Sequence, residues 1–364
     1  MATQRISQMT VVTPQTRYKN LGGNWNNFAG GNQSANNLRA FMASIVGRPA
    51  QAVSAGGTLT MNSQNLGSYD YVIRQGDQTV SSFLAGDWFT TTEDTRSALI
   101  AVNGNLTINA GQTFTPSVRK LFTCIYVNGN LTVNGAISMS SRGANHSATT
   151  AATIKLIGDG TYGGVTNPEI PATGGAGVGV NSNGTAGTNG GTGAGGGGVK
   201  SGSGGGGNGA AGTSFSGGAA GGSSWNAAAG NGAANGGAGG NSGCGGSGAN
   251  AGGAGNPGGA GCNSSTASSS GTGGVLIIYV TGTYSGSGSI SASGATGGGC
   301  TGDCHAAGSG SGGGSVSIFC TTNSTGPTPT ATGGSRGSMG GSGGDRFQGL
   351  FGGAGTARIM AGAF

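Results

Sequence analysis

The sequence predicts a mainly β protein. Short strand repeats stack as rungs, as in a β-solenoid, around an inserted bundle of extended glycine helices, with one short N-terminal α-helix. Three observations carry this reading. A strand–turn–strand motif recurs along the chain. Glycine supplies 88 of 364 residues, several times the usual share of about 7%, and falls at period three over long stretches. One segment near the N-terminus has helical apolar spacing.

The helix comes first. "SANNLRAFMASIVG" (34–47) places Leu38, Phe41, Met42, Ile45 and Val46 on one face, the i, i+3, i+4, i+7 pattern of an amphipathic helix. Asn36 or Asn37 can cap it, and Gly47 followed by Pro49 stops it. Over 51–100, pieces such as "YDYVIRQ" and "TVSSFLAGDWFTT" alternate apolar and polar residues and read as strands with turns.

The repeat follows, over 101–157. "VNGNLTI" at 102–108 recurs as "VNGNLTV" at 127–133, 25 residues on. "IYVNGNLTVNGAISMSS" (125–141) aligns without gaps with "IYVTGTYSGSGSISASG" (278–294), matching Val127 to Val280, Gly129 to Gly282, Gly135 to Gly288 and Ile137 to Ile290. "GGGSVSIFC" (312–320) resembles "GGVLIIYV" (273–280). Repeats of this length suggest stacked rungs. Ordinary hairpins with similar Asn-Gly turns are the alternative. A second set of strand repeats, with a further glycine-rich part, occupies 275–364.

Between the two sets lies the glycine block, 158–274, an insertion whose ends return to neighbouring strands. Written in threes, 236–250 reads GGA GGN SGC GGS GAN, and Gly184, Gly187, Gly190, Gly193 and Gly196 also fall three apart. Three residues per turn is the repeat of the left-handed extended helix of the polyproline type, which makes no internal hydrogen bonds. Its buried N–H and C=O groups need partners on neighbouring segments. Glycine keeps the N–H that proline lacks and lets backbones approach closely. Collagen requires glycine at strictly every third position and abundant proline, whereas this chain breaks frame and has 8 prolines. A disordered linker is the other alternative, but such segments are normally rich in charge, and charged residues make up 7% here.

Glycine-rich runs punctuated by short variable segments, following a β-rich part, resemble the distal tail-fibre adhesins of T-even-like bacteriophages. The resemblance covers 158–274 and extends to 294–357, while the rung-like repeats on either side depart from that family. It implies a sandwich of polyglycine II helices whose interrupting segments form receptor-binding loops. On this chain those segments are "TSFS" (213–216) and "SSWNAAA" (223–229), which makes Phe215, Ser224, Trp225 and Asn226 the receptor-contact candidates. Phe215 and Trp225 are the only aromatics between Tyr162 and Tyr279. Exposed, they suit stacking on sugar rings or contact with an outer-membrane protein loop; alternatively Trp225 plugs the end of the sandwich. Residues 1–100 would then be the attachment domain, mounting the protein on other virion tail or fibre proteins.

The remaining chemistry is sparse. Cys124 with Cys320, Cys244 with Cys262 and Cys300 with Cys304 are the candidate disulfides. "CTGDCH" (300–305) lacks the second cysteine pair that a zinc site would want, so no metal and no cofactor are expected. His146 and His305 lie in no catalytic frame, the carboxylates are scattered, and "GGSGG" (340–344) matches G-x-S-x-G by composition alone; no enzyme activity or catalytic residue is expected. The net charge is +6 without a basic run, which argues against nucleic acid and suits an anionic surface such as lipopolysaccharide. The N-terminus has no secretory signature, and no apolar run is long enough to insert in a membrane. The expectation is a virion protein, made in the host cytoplasm and acting outside it, that binds a host cell-surface glycan or outer-membrane protein. A structural or decorating capsid or fibre component without receptor is the alternative, and ice binding a third. Both a homotrimer, as in many fibres, and a monomeric cap remain open.

Overall fold

A computed structural model of the chain describes residues 46, 51–61, 64–91, 97–120, 122–143, 153–155, 161–162, 165–166, 169–171, 211, 217–218, 271, 273–297, 310–338 and 351–362. The described part is mainly β. Its strands are β1 (Gln51–Met61), β2 (Gln64–Gln75), β3 (Gln78–Val80), β4 (Ser97–Asn103), β5 (Leu106–Ile108), β6 (Thr113–Phe114), β7 (Thr123–Val127), β8 (Leu131–Val133), β9 (Ala136–Ser138), β10 (Thr153–Lys155), β11 (Thr161–Tyr162), β12 (Val165–Thr166), β13 (Glu169–Pro171), β14 (Val275–Ser285), β15 (Ser289–Ser291), β16 (Ser315–Asn323) and β17 (Thr356–Ala361).

Most pairings among the described residues are parallel and join one repeat to the next. Three rows of strands result. The first runs β2, β4, β7, β14, β16, β17. The second runs β3, β5, β8 and the end of β14. The third runs β6, β9, β15, continued by a bridge from Ser291 to Thr330. Among the described residues, antiparallel pairing is confined to β1 with β2, β10 with β13 and β11 with β12. The matches expected from the sequence are present as strand register: Val280 pairs with Val127, Ile290 with Ile137 and Val280 with Cys320. The Asn-Gly turns do not close hairpins. β4 and β5 flank such a turn, yet β4 pairs with β7 and β5 with β8.

Stacking of the turns explains the recurrent "NGN". A Cβ at Gly104, whose φ is +156°, would come within 2.5 Å of the Gly76 carbonyl carbon in the turn below. The flanking amides bond along the stack. Asn103 Nδ2 donates to Gln75 Oε1 (2.9 Å), Asn128 Nδ2 to Asn103 Oδ1 (2.8 Å), and Thr281 Oγ1 to Asn128 Oδ1 (3.3 Å). A second ladder links Asp77, Asn105, Asn130 and Thr283. The first of its steps holds the Asp77 carboxyl below its ordinary pKa, chiefly through the Asn105 backbone N–H and then its side-chain amide.

The core lies between the three rows. Ile100, Ile125, Ile278 and Ile318 come from the first, Leu106, Leu131 and Tyr284 from the second, Phe114, Ile137 and Ile290 from the third. Second-row strands bury alternate residues. First-row strands β4 and β7 are buried on both faces, which is why they read as continuous apolar runs.

Three expectations need correction or placement. The strand expected in "TVSSFLAGDWFTT" ends at Val80; a 3-10 turn at Ala85–Asp87 follows. Phe83, Trp88 and Phe89 gather around Phe114, with ring centroids 5.1, 5.1 and 5.4 Å away. This aromatic cluster packs on the core beside the first repeats, where an alternating strand could not bring three rings to one side. Residue 100, the expected boundary, lies in β4, which pairs with β2 in the same sheet. The helix expected over 34–47 lies outside the described residues apart from Val46, which is buried.

Candidate functional site

The positions of the insertions define the candidate site. From β4 to β7 the register advances 25 residues, Val102 to Val127. From β7 to β14 it advances 153, Val127 to Val280 and again Ile137 to Ile290. The extra residues therefore all fall after the third-row strand β9 and before the first-row strand β14. The next steps are 40 residues (Val280 to Cys320) and 41 (Cys320 to Ala361). Their surplus lies at the same corner, between Ser291 and Ser315 and between Thr330 and Thr356. All three excursions leave and re-enter the stack along one edge.

Where the described segments border that edge they are glycine-rich and lie outside the strands, and their backbones are hydrogen-bonded to one another. The described pieces are 217–218, 271, 273–274, 292–297, 310–314, 330–335 and 351–355. The 310–314 segment is the centre. Ser311 N–H donates to Ala295 O (3.0 Å) and Gly314 N–H to Ala292 O (2.7 Å), so donors three residues apart reach one neighbour. Gly352 and Gly355 N–H, also three apart, reach Gly334 O (2.9 Å) and Ala331 O (2.7 Å). Other bonds leave the central segment in other directions: Gly313 N–H to Gly353 O (2.9 Å), with Gly218 N–H to Gly313 O (2.8 Å), Gly273 N–H to Gly312 O (3.1 Å) and Gly334 N–H to Ser311 O (2.8 Å) arriving. Residues 310–314 are all buried.

Glycine is required here by space. A Cβ at Gly313 would lie 2.7 Å from Gly355 N and nearer still to Ala331 O; one at Gly333, Gly334, Gly352 or Gly355 would overlap a neighbouring carbonyl oxygen. The segments thus form a core whose contacts are backbone against backbone. Lateral hydrogen bonds take the place of apolar side chains in offsetting the ordering cost of about 1–2 kcal/mol per residue.

Of the residues singled out from the sequence, Phe215, Ser224, Trp225 and Asn226 lie outside the described residues, as do Cys244, Cys262, Cys300 and Cys304. The two remaining cysteines are described, and both thiols are free and buried. The Cys124–Cys320 disulfide is therefore corrected. Cys124 stands beside Ile277 on β14, whereas Cys320 stands beside Val280 on the other side of that strand. An intervening strand and an odd offset place the thiols on opposite faces of the sheet. Burial raises the pKa of both, which removes thiolate reactivity.

Two arrangements were not anticipated. Asp70 and Lys120 form a buried ion pair at 3.6 Å, 2% and 1% exposed. Thr90 joins them, donating to Asp70 Oδ2 and accepting from Lys120 Nζ at 2.6 Å. Nothing in the sequence links positions 70, 90 and 120, which belong to three separate segments. The second is on the glycine edge, where the exposed Phe351 ring carries the Arg336 guanidinium 5.1 Å from its centroid. Its signal was available: an aromatic interrupting glycine, the criterion that selected Phe215 and Trp225. Among the described residues there is no cluster of three or more potential metal ligands, and no helix is long and apolar enough to cross a membrane. No family model, curated protein or solved structure matches the chain.

Proposed function

We propose that the chain is a bacteriophage receptor-binding protein, a three-sided parallel β-solenoid bearing a polyglycine II lattice along one edge, whose inserted segments contact a host cell-surface glycan or outer-membrane protein. The in-register parallel rows with a short unit of 25 residues support the solenoid. Backbone donors that return to the same neighbour every third residue support the polyglycine II geometry. The observation that carries the function is the confinement of every long insertion to one edge, on a backbone-bonded base. A stack that only had to be stiff would not need its additions on a single side, whereas recognition segments gain from a rigid support and a common direction.

The test is saturable binding of the purified protein to candidate host cells, with a deletion of 213–229 as comparison. Binding that is lost on deletion supports the adhesin and puts Phe215 and Trp225 in the contact. Absence of binding by the folded protein overturns it in favour of a structural or decorating virion protein. Labelling on the particle then separates the two positions, since an adhesin must be distal.

A further inference from the structure

We propose that the Asn128–Gly129 peptide is a site of spontaneous deamidation, and that the nearby Asn134–Gly135 peptide, with the same two residues and an equally exposed asparagine, is shielded from it by the stack. The reaction is intramolecular. The backbone nitrogen of the glycine, once a base has taken its proton, bonds to Cγ of the preceding asparagine. The Cγ–Nδ2 bond breaks, and Nδ2 leaves as ammonia with a proton from water. Water then opens the five-membered succinimide at either of its carbonyls, leaving aspartate or, with the chain now running through Cγ, isoaspartate. One water is consumed and one ammonia released. Glycine favours the attack because no side chain crowds its nitrogen. The described residues hold three Asn-Gly pairs, at 103–104, 128–129 and 134–135.

They differ first at the glycine nitrogen. Gly135 N–H donates to Ile108 O (3.0 Å), beside Asn134 N–H on the same carbonyl (2.8 Å), and Gly135 O accepts from Ser289 N–H (2.9 Å). A Cβ there would overlap Asn109 O and Gln112 O, so the peptide is closely enclosed. To reach Asn134 Cγ, that amide would have to leave its acceptor and turn inside a packed stack. Gly129 is engaged through its carbonyl, which accepts from Gly282 N–H (2.9 Å), while neither its N–H nor that of Gly104 donates to any of the described residues. The side chains separate these two. Asn103 is partly buried and held from both sides, donating to Gln75 Oε1 (2.9 Å) and accepting from Asn128 Nδ2 (2.8 Å). Asn128 is exposed, so water and base reach it, and its bond on the far side is the long one from Thr281 Oγ1 (3.3 Å). Conversion puts a carboxylate oxygen where Nδ2 donated to Asn103 Oδ1. Two acceptors then face each other, and the column has to reorder. Isoaspartate also lengthens the backbone between β7 and β8.

Time-resolved peptide mapping of the full chain tests this. The protein is held folded in mildly alkaline buffer, sampled, and digested under acidic conditions, with a parallel series in urea. Circular dichroism at each time point checks that the folded series stays folded. In urea the three pairs should convert at similar rates, because each presents the same two residues. In the folded protein Asn134 should slow by about tenfold or more, the factor that one retained hydrogen bond sets. Asn128 should convert fastest of the three, to both aspartate and isoaspartate, and faster as the pH rises. Asn134 converting as fast as Asn128 in the folded protein, or Asn103 overtaking Asn128, overturns the proposal. So does an Asn128 that keeps its amide when folded yet loses it in urea. Conversion of Asn128 without isoaspartate overturns it as well, since that is direct hydrolysis of the amide and not attack by the Gly129 nitrogen.

Discussion

Replacing Gly313 by alanine tests whether the glycine edge is a true backbone-packed core. The new methyl would sit 2.7 Å from Gly355 N and closer to Ala331 O, so one of the segments has to move. Relieving such an overlap in a tight interior costs about 1–3 kcal/mol. The shift also strains the two bonds that Gly313 makes, its N–H to Gly353 O and its carbonyl from Gly218 N–H, at about 0.5–1.5 kcal/mol each. Against this, alanine restricts the unfolded chain and returns about 0.4–1 kcal/mol. The net expectation is a loss of about 1–6 kcal/mol. Gly86→Ala is the control, because its Cβ would meet only Thr91 Cγ2, at 3.9 Å, and should change stability by less than about 1 kcal/mol in either direction. Urea denaturation followed by circular dichroism measures both. Equal midpoints for the two variants would falsify the packed-backbone account, since a loosely held glycine segment accepts a methyl at Gly313 as readily as at Gly86.

Three further outcomes follow from the same geometry. Asp70→Asn removes the carboxylate described beside the buried Lys120 ammonium and should destabilise by about 3–5 kcal/mol, with Asp70→Leu plus Lys120→Met recovering much of it; a denaturation midpoint unmoved by the single change refutes the ion pair. Asp77 has a folded pKa depressed by its bonds from Asn105, so its contribution is present above the ordinary carboxylate pKa of about 3.9 and is lost as pH falls through the lower folded value. Asp77→Asn should flatten that part of the stability–pH curve, and an unchanged curve between pH 2 and 5 counts against the ladder. Cys124 and Cys320 should resist a thiol reagent in the native protein and both react once it is unfolded. A cross-linked peptide containing the two, on non-reducing mapping, contradicts the described register.

Much of the stack was legible in the sequence because its periodicity is local. A strand of one repeat pairs with the same strand of the next, so the gapless match of 125–141 to 278–294 becomes register directly, Val127 beside Val280 and Ile137 beside Ile290. The period-three stretches at 184–196 and 236–250 lie outside the described residues; the close glycine contacts that are described, such as Gly313 with Gly355 and Gly334 with Ala295, join segments remote in sequence. Other features depend on positions remote in sequence. Whether "NGN" turns close hairpins or stack in parallel is decided by which strand arrives alongside, and Gly104 meets Gly76 only once the repeats lie one upon another. The meeting of Asp70, Thr90 and Lys120 and the separation of Cys124 from Cys320 follow from that same stacking. So does the edge itself: the residue order tells how long each insertion is, but only the parallel pairing of the rows brings all three to one corner. Composition and short-range spacing set the strands and the turns; three-dimensional packing alone decided which segments face each other, because those contacts join residues 20 to 153 positions apart.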